Sequence, residues 1–177
     1  MIQFLRLSSK EDRVFRAAMQ LYEKSFPACE RREMEDHLLA LKDDRYHCDV
    51  IVENDKLIGI FFYWKLGWFI YGEHLAIDPK LRGKNYGTKI LRAFCSKHKE
   101  MILEIEPPKD DITIRRLHFY KRLGFKLQPF NHFQVNYRKE DKNLQLKIMT
   151  YGRDWCRKEY DDFYSRLKDS TQVESAS

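Results

Sequence analysis

The sequence predicts an α/β protein with a mixed β-sheet flanked by helices, and three observations predict it. Short segments rich in β-branched and aromatic residues alternate with segments whose apolar residues recur at helical spacing. The order of these segments is strand, two helices, three strands, helix, strand, helix and two strands, followed by a terminal helix. Finally, 177 residues, of which 43% are apolar, suffice for one α/β domain with its own core.

The first half of the chain is predicted to contain two helices and four strands. Ser8 and Glu11 have the spacing of a capping box, and the helix that follows them ends at Pro27. Asn54 and Asp55 favour a tight hairpin turn. The other predicted elements of this half are strands at 2–7, 47–53, 56–64 and 68–77 and a helix at 30–42.

The second half is predicted to alternate helices with short strands. Gly124 has the position of the residue that ends a helix in the left-handed conformation. The predicted elements are helices at 84–98, 112–123 and 154–168 and strands at 101–105, 125–127 and 144–150, with a long connection at 130–142. The domain is therefore expected to span 1–150, with a helical appendage at 151–168 and a frayed polar tail at 169–177.

Composition narrows the classes of function. No apolar run approaches the roughly 20 residues of a membrane span, and the N-terminus does not resemble a signal peptide. The four cysteines lack the spacing of a zinc site or a disulfide framework, so we expect a cytoplasmic protein without a metal. The formal net charge of +6 suits a nucleic-acid surface or a pocket for a polyanionic cofactor. Because acidic residues interrupt the basic ones, the pocket is the favoured interpretation.

A basic, glycine-bearing loop lies between the strand that ends at 75–77 and the helix at 84–98. Backbone N–H groups at a helix start are unpaired, and the helix dipole adds partial positive charge there. Arg82, Lys84 and Lys89 contribute full positive charges. This corner is therefore predicted to bind phosphate groups, although neither the Rossmann nor the P-loop glycine pattern is present.

Two stretches of the chain, the loop at 82–87 and the segment at 118–125, resemble motifs of a known family. The stretch Arg82-Gly-Lys-Asn-Tyr-Gly87 resembles the Arg/Gln-x-x-Gly-x-Gly/Ala signature of the GCN5-related N-acetyltransferases (GNAT family), with Asn85 at the middle glycine position. Asn is the non-glycine residue that best tolerates a positive φ. The stretch His118-Phe-Tyr-Lys-Arg-Leu-Gly-Phe125 is similar to the family's Phe-Tyr-x-x-x-Gly-Phe segment. The resemblance covers roughly 2–150 and leaves the terminal helix outside.

The resemblance implies a GNAT-like, splayed sheet, in which a bulge at Gly72 separates two parallel strands and opens a cofactor cleft. It also implies that acetyl-CoA is the co-substrate. Departing from many relatives, residues 110–113 replace a shorter linker, so Thr113 is expected to take over a polar contact with the cofactor. The cofactor-binding residues carried over are Leu75, Ala76, Ile77, Arg82, Gly83, Lys84, Asn85, Tyr86, Gly87, Thr88 and Thr113.

The implied activity is acetyl transfer to a primary amine by direct attack in a ternary complex. Tyr120, in the Phe-Tyr motif, is the candidate general acid that would protonate the leaving thiolate. The structural alternative is a core-facing tyrosine on a helix.

A general base or a water relay must remove a proton from the acceptor ammonium group. The candidates are Glu104, Glu73 and Glu106, in that order, and burial of any of them would raise its pKa and make it a better base. Ion pairs with Arg115 and Arg116 are the alternative explanation for Glu104 and Glu106, and plain solvation is the alternative for Glu73. His74 and His118 are further candidates for this role.

Several acidic residues beside one cleft favour a cationic acceptor, such as a polyamine, an aminoglycoside-like amine, or a lysine or N-terminal amine. Aromatic residues at 62–71 and 130–137 could line it or belong to the core. Two rival functions are a non-catalytic acyl-CoA-binding module of the same fold and a nucleic-acid-binding protein. The sequence leaves a homodimer open.

Overall fold

The computed structural model describes residues 1–171 and confirms the mixed α/β class. Seven strands form one sheet in the order β1-β2-β3-β4-β5-β7-β6, and only β4 and β5 pair in parallel. None of the helices within 1–171 is both long and apolar enough to cross a membrane. The strands are β1 Gln3–Leu7, β2 Tyr46–Glu53, β3 Lys56–Leu66, β4 Phe69–Ile77, β5 Met101–Ile105, β6 Phe125–Phe133 and β7 Gln145–Tyr151. The helices are α1 Phe15–Ser25, α2 Met34–Ala40, α3 Tyr86–Lys97, α4 Asp111–Arg122 and α5 Arg157–Thr171.

The sheet has a hydrophobic core on each face. On one face α1, α2 and α5 pack against residues such as Phe62 and Trp64 of β3. On the other face α3 and α4 pack against Phe61 and Tyr63 of the same strand. Because β3 is covered on both sides, its sequence is a nearly continuous apolar run instead of an alternating one.

The predicted splay between the two parallel strands is present. β4 and β5 pair only at Ile70–Met101, Tyr71–Ile102 and Gly72–Leu103. On the other side of β4, Phe62 is opposite His74 and Tyr63 is opposite Gly72, so Glu73 is an extra residue in a bulge. The bulge therefore lies beside Gly72, as predicted, and beyond it β4 and β5 separate.

The two helices near the N-terminus differ from the prediction. The capping box of Ser8 and Glu11 is wrong, because the carboxylate of Asp12 accepts hydrogen bonds from the amides of Ser8 and Ser9, at 2.7 and 3.0 Å. The second helix is shorter than 30–42, since the backbone is extended at Arg31 and Glu33. That extended segment carries Arg32 into the core, and this tertiary contact overrides the local helix preference.

Strand β6 is longer than predicted. Instead of ending at 127 it continues to Phe133 through a bulge between Gln128 and His132. Pro129 lies in this bulge, and it is tolerated there because β6 is an edge strand. Part of the predicted connection at 130–142 is therefore β-structure.

The terminal helix is present but begins and ends later than predicted. Glu159, in its first turn, accepts a hydrogen bond from the amide of Cys156 at 2.8 Å, so α5 starts at Arg157 instead of 154. Residues 169–171 belong to the helix and not to a frayed tail. The rest of the predicted tail, 172–177, lies outside the described residues.

A pair of glycine substitutions tests how tightly β3 and β4 pack. A methyl group at Gly59 would lie 2.4 Å from the carbonyl oxygen of Ala76, whereas one at Gly72 would lie 2.7 Å from the terminal methyl of Met101. Gly59→Ala should lower the free energy of unfolding by about 1–3 kcal/mol, because a backbone carbonyl cannot move aside. Gly72→Ala should cost less, since a methionine side chain can. Denaturant unfolding measures both, and equal or reversed losses would contradict this packing.

Candidate active site

A cavity of about 590 Å³ occupies the gap between β4 and β5 beyond Gly72. The two separated strands form its walls, and the loop before α3, the segment after α1 and the end of α5 complete it. This one cavity brings together nine of the candidate site residues named from the sequence. They are Glu73, His74, Leu75, Ala76, Ile77, Arg82, Glu104, Glu106 and Tyr120.

The loop that begins at Arg82 has the backbone conformation of an anion site. Asn85 caps α3 with φ 64°, so it adopts the left-handed conformation that its sequence position required, and Gly83 has φ 78°. Within residues 1–171, no group accepts a hydrogen bond from the amides of Gly83, Asn85, Tyr86, Gly87 or Thr88. Several free donors thus surround the N-terminus of α3, where the helix dipole favours negative charge.

Tyr120 lines the cavity from α4, and the neighbouring Phe119 approaches the first turn of α3. A methyl group at Gly87 would lie 3.3 Å from the ring of Phe119, so glycine allows this approach. The Tyr120 ring packs edge-on against Phe119 and Phe125, and burial raises the pKa of its phenol. The phenol is therefore protonated at neutral pH, and its hydroxyl makes no hydrogen bond to any group within 1–171.

Thr113 does not line the cavity. Its hydroxyl accepts hydrogen bonds from the amides of Lys109 and Asp110, at 3.0 and 3.1 Å, and lies 2.8 Å from the Asp110 carboxylate. Thr113 and Asp110 thus form a capping box at the start of α4. The Thr113 hydroxyl already makes its hydrogen bonds to neighbouring groups of the chain, which argues against the expected contact with a cofactor.

Glu104 lies on β5 with a side chain that is 12% exposed. The hydroxyl of Tyr71 donates to its Oε1, and Nε2 of His132 lies 2.5 Å from its Oε2. Burial, and then the nearby Glu104, raise the pKa of Tyr71 far above its ordinary value, so Tyr71 stays protonated and can donate. Glu104 therefore has neither of the arginine partners that the alternative explanation required.

Glu106 lies at the rim of the cavity. Its carboxylate pairs with Arg116 at 3.2 Å, and both side chains are 45% exposed. This is the ion pair that the sequence offered as the alternative to a catalytic role. An exposed pair of this kind contributes little to stability, about 0–1 kcal/mol.

Glu73 is neither solvated nor free. Its carboxylate is 1% exposed, pairs with Arg32 at 2.7 Å and accepts a hydrogen bond from Tyr137 at 2.7 Å. Burial alone would raise the pKa of Glu73, but Arg32 and His74 outweigh burial and hold the pKa well below its ordinary range. The expectation that burial makes Glu73 a better base is therefore wrong, because a carboxylate that strongly prefers its charged form accepts a proton poorly.

The two histidine candidates lie in different environments: His74 is packed among aromatic rings, and His118 is exposed. Nε2 of His74 lies 2.7 Å from the carbonyl oxygen of Glu30, and its ring packs edge-on against Tyr22 and Phe26. His118 is exposed on α4 and does not line the cavity. Within residues 1–171, no three His, Cys, Asp or Glu side chains come together as metal ligands.

Two further residues of the site were missed by the sequence reasoning. Arg32 falls near the start of the predicted helix at 30–42, but in the structure its guanidinium is buried and lies 4.6 Å from the ring centre of Tyr137. His132 was assigned to the connection at 130–142. The sequence carries little signal for this part of β6, because Gln128 and His132, two of its buried residues, are polar and break the apolar alternation that identifies a strand. No sequence signal indicated which partners either residue would find.

Comparisons with known proteins agree on one family. Residues 12–125 match the sequence model of the Acetyltransferase (GNAT) family. YjbC of Bacillus subtilis, named a putative acetyltransferase, is 31% identical over 113 residues, which are 61% of this chain. The chain spans 57% of the length of that relative.

Solved structures with the same fold include one from Bacteroides thetaiotaomicron that is named a putative acetyltransferase from the GNAT family. It superimposes with a TM-score of 0.88 at 30% identity, over 93% of this chain and 95% of that one. A Bacillus subtilis acetyltransferase in complex with CoA matches with a TM-score of 0.57 over 85% of this chain and 98% of that one. Because its identity is 13%, that likeness shows the shared fold alone.

Substitutions at Asn85 test the conformation of the loop. Asn85→Val should lower the free energy of unfolding by about 1–2 kcal/mol and weaken acetyl-CoA binding, because a β-branched residue does not tolerate the left-handed conformation. Asn85→Gly should preserve both properties. Thermal unfolding and calorimetric titration measure them. If Asn85→Val bound acetyl-CoA as tightly as Asn85→Gly, the conformation of residue 85 would not matter for binding.

The buried ion pair predicts a large loss of stability on neutralising Glu73. Glu73→Gln leaves the Arg32 charge unpaired and should cost about 3–5 kcal/mol of unfolding free energy, whereas the matched variant Glu106→Gln should cost less than about 1 kcal/mol.

The stabilisation by Glu73 should also depend on pH. Because the folded-state pKa of Glu73 is depressed, its contribution to the free energy of unfolding is complete above the ordinary glutamate pKa of about 4.3 and is lost as the pH falls below that value. Denaturant unfolding should therefore show the wild type and Glu73→Gln converging in acid. A pH-independent difference would contradict this assignment.

Proposed function

The chain belongs to the GNAT family of acetyltransferases, and on that premise we propose that it transfers an acetyl group from acetyl-CoA to a primary amine of a small molecule or peptide in a ternary complex. The observation that carries the proposal is that Glu104 and Tyr120 line the same cavity as the free edge of β4 and Arg82. A base, an acid and a phosphate corner thus meet in the gap between β4 and β5.

The cofactor half of the site consists of the loop before α3 and the end of β4. The unpaired amides of Gly83 and of residues 85–88, together with the guanidinium of Arg82, would hold the diphosphate of acetyl-CoA. Beyond Gly72, β4 has no hydrogen bonds to β5, so backbone groups along 75–77 are free to bind the pantetheine arm. An N–H group there would polarise the acyl oxygen. Acetyl-CoA, when bound, supplies the activated acyl group.

The chain's own residues then move two protons. An alkyl ammonium group must lose a proton before its nitrogen can attack, and the carboxylate of Glu104 is the group placed to take it. The hydroxyl of Tyr120 is placed to give a proton to the leaving thiolate sulfur. Glu73 does not compete for the base role, because its charge is committed to Arg32.

The acceptor half of the cavity favours a cation. Glu30, Glu104 and Glu106 line it together. Burial raises the pKa of Glu30, and repulsion from Glu106 raises it further, so a positive charge bound between them would relieve an unfavourable arrangement. Aromatic side chains of Phe26 and Tyr71 line the same end and can pack against the carbon chain of an amine. These features support a primary amine with a second positive charge nearby.

The test measures turnover on a panel of polyamines, aminoglycosides and amine-bearing peptides by release of the CoA thiol. Glu104→Gln and Tyr120→Phe should each lower kcat by about 10²–10⁴-fold, because each removes one proton transfer. Both should bind acetyl-CoA like the wild type in a calorimetric titration. Glu106→Gln is the comparison variant for the base role: its kcat should stay within about threefold, since Glu106 lacks a direct role in proton transfer, whereas its KM for a cationic amine should rise because Glu106 lines the acceptor half.

The outcomes separate the rival functions. Specific acetyl-CoA binding without turnover on any amine would favour a non-catalytic acyl-CoA module. Turnover that survives in Glu104→Gln would remove Glu104 from the base role. An absence of specific heat with acetyl-CoA would refute the enzymatic proposal altogether.

A further inference from the structure

We propose that His132 is a positioning residue for the Glu104 carboxylate, and that Tyr160 of α5 in turn holds His132. This inference rests on the proposed function, since it concerns the same base. His132 touches Glu104 but is separated from the cavity, and it is fully buried. It therefore acts on the reaction only through Glu104.

Hydrogen bonds at both oxygens hold the Glu104 carboxylate in place. Within residues 1–171, its carboxylate contacts two side-chain partners, Tyr71 at Oε1 and His132 at Oε2. The two come from different strands, β4 and β6, and each takes a different oxygen. Held at both oxygens, the carboxylate cannot rotate about its terminal bond, and this is how supporting residues fix a catalytic group in position.

The bulge in β6 explains how a side chain two strands away reaches Glu104. In the sheet β7 lies between β5 and β6, and both Glu104 and Gln128 are opposite Ile148 of β7. With regular pairing, the residue opposite Leu146 would be Phe130, but it is His132. The two additional residues in the bulge therefore place an imidazole where a phenyl ring would otherwise lie.

Tyr160 determines which way the imidazole presents its proton. Its hydroxyl lies 2.8 Å from Nδ1 of His132, closer than its 3.4 Å contact with the carbonyl of Asn131. When that hydroxyl donates to Nδ1, a neutral imidazole carries its proton on Nε2 and donates it to Glu104. The Tyr160 ring is itself fixed by stacking on Phe130, with the ring centres 4.4 Å apart.

The arrangement makes α5 part of the active site. Tyr160 supports the base through His132, and Leu167 and Thr171 of the same helix line the cavity. All of these residues lie outside the 12–125 stretch that matches the family. The cofactor corner and Tyr71 therefore come from the part of the chain that matches the family, whereas the support of Glu104 at Oε2 comes from the part beyond it.

The test compares four variants of the full chain by kcat and by KM for acetyl-CoA. His132→Ala should lower kcat on the order of tenfold to a hundredfold, as loss of an outer partner does in other sites, with KM for acetyl-CoA unchanged. His132→Gln should recover most of that loss, because its amide can donate from nearly the same place. Tyr160→Phe should lower kcat severalfold. Tyr164→Phe is the matched control: it lies one turn further along α5, with its hydroxyl directed at the carbonyl of Phe133 at 3.5 Å, and it should keep wild-type kcat.

Each possible result either supports or overturns the positioning role of His132. Wild-type kcat in His132→Ala, or a His132→Gln as impaired as His132→Ala, would overturn the positioning role. If His132→Ala fails to fold by circular dichroism, the kcat of His132→Gln and Tyr160→Phe decides: near-wild-type for Gln with a drop for Phe supports the proposal, and any other pair of values overturns it. Glu104→Gln separates the proposed function from this inference. Full activity of Glu104→Gln would show that Glu104 is not the base. An inactive Glu104→Gln beside fully active His132 and Tyr160 variants refutes this inference alone.

Discussion

The candidate site depends on one constraint, which is that β4 and β5 remain paired over only three residue pairs before they separate. The separation requires the bulge at Glu73, and the bulge turns a carboxylate into the interior. Such a charge is tolerated only with a partner, and Arg32 provides it from the segment between α1 and α2. The buried ion pair and the open cavity are therefore two aspects of the same distortion of the sheet.

Three of the four glutamates that line the cavity show how the surroundings of a side chain determine its properties. Glu73 is locked in its charged form by a buried guanidinium, and Glu106 forms an exposed ion pair at the rim. Glu104 is held instead by a phenol and an imidazole, which orient its oxygens without adding a permanent positive charge nearby. Of the three, only Glu104 combines a fixed orientation with a place in the cavity and no arginine partner.

Local patterns predicted the fold class and nearly every helix and strand, and the resemblance to family motifs predicted the bulge beside Gly72 and the left-handed residue at position 85. Each of these depends on a few consecutive residues, so their signals survive without knowledge of the tertiary structure. The failures have the opposite character. The shortened α2 and the extended β6 follow from where Arg32 and His132 find partners far along the chain. The charge state of Glu73 could not be predicted because it depends on such a partner.

The late position of α5 has a consequence for how the chain acquires its structure during synthesis. Phe163 and Leu167 of α5 cover the sheet face that contains Tyr71, and Phe163 also packs against Phe69. A nascent chain that has emerged from the ribosome only as far as β7 can form the whole sheet, yet it exposes these aromatic residues to solvent. Such intermediates are prone to aggregate, so the last helix shields the domain as well as completing the cavity.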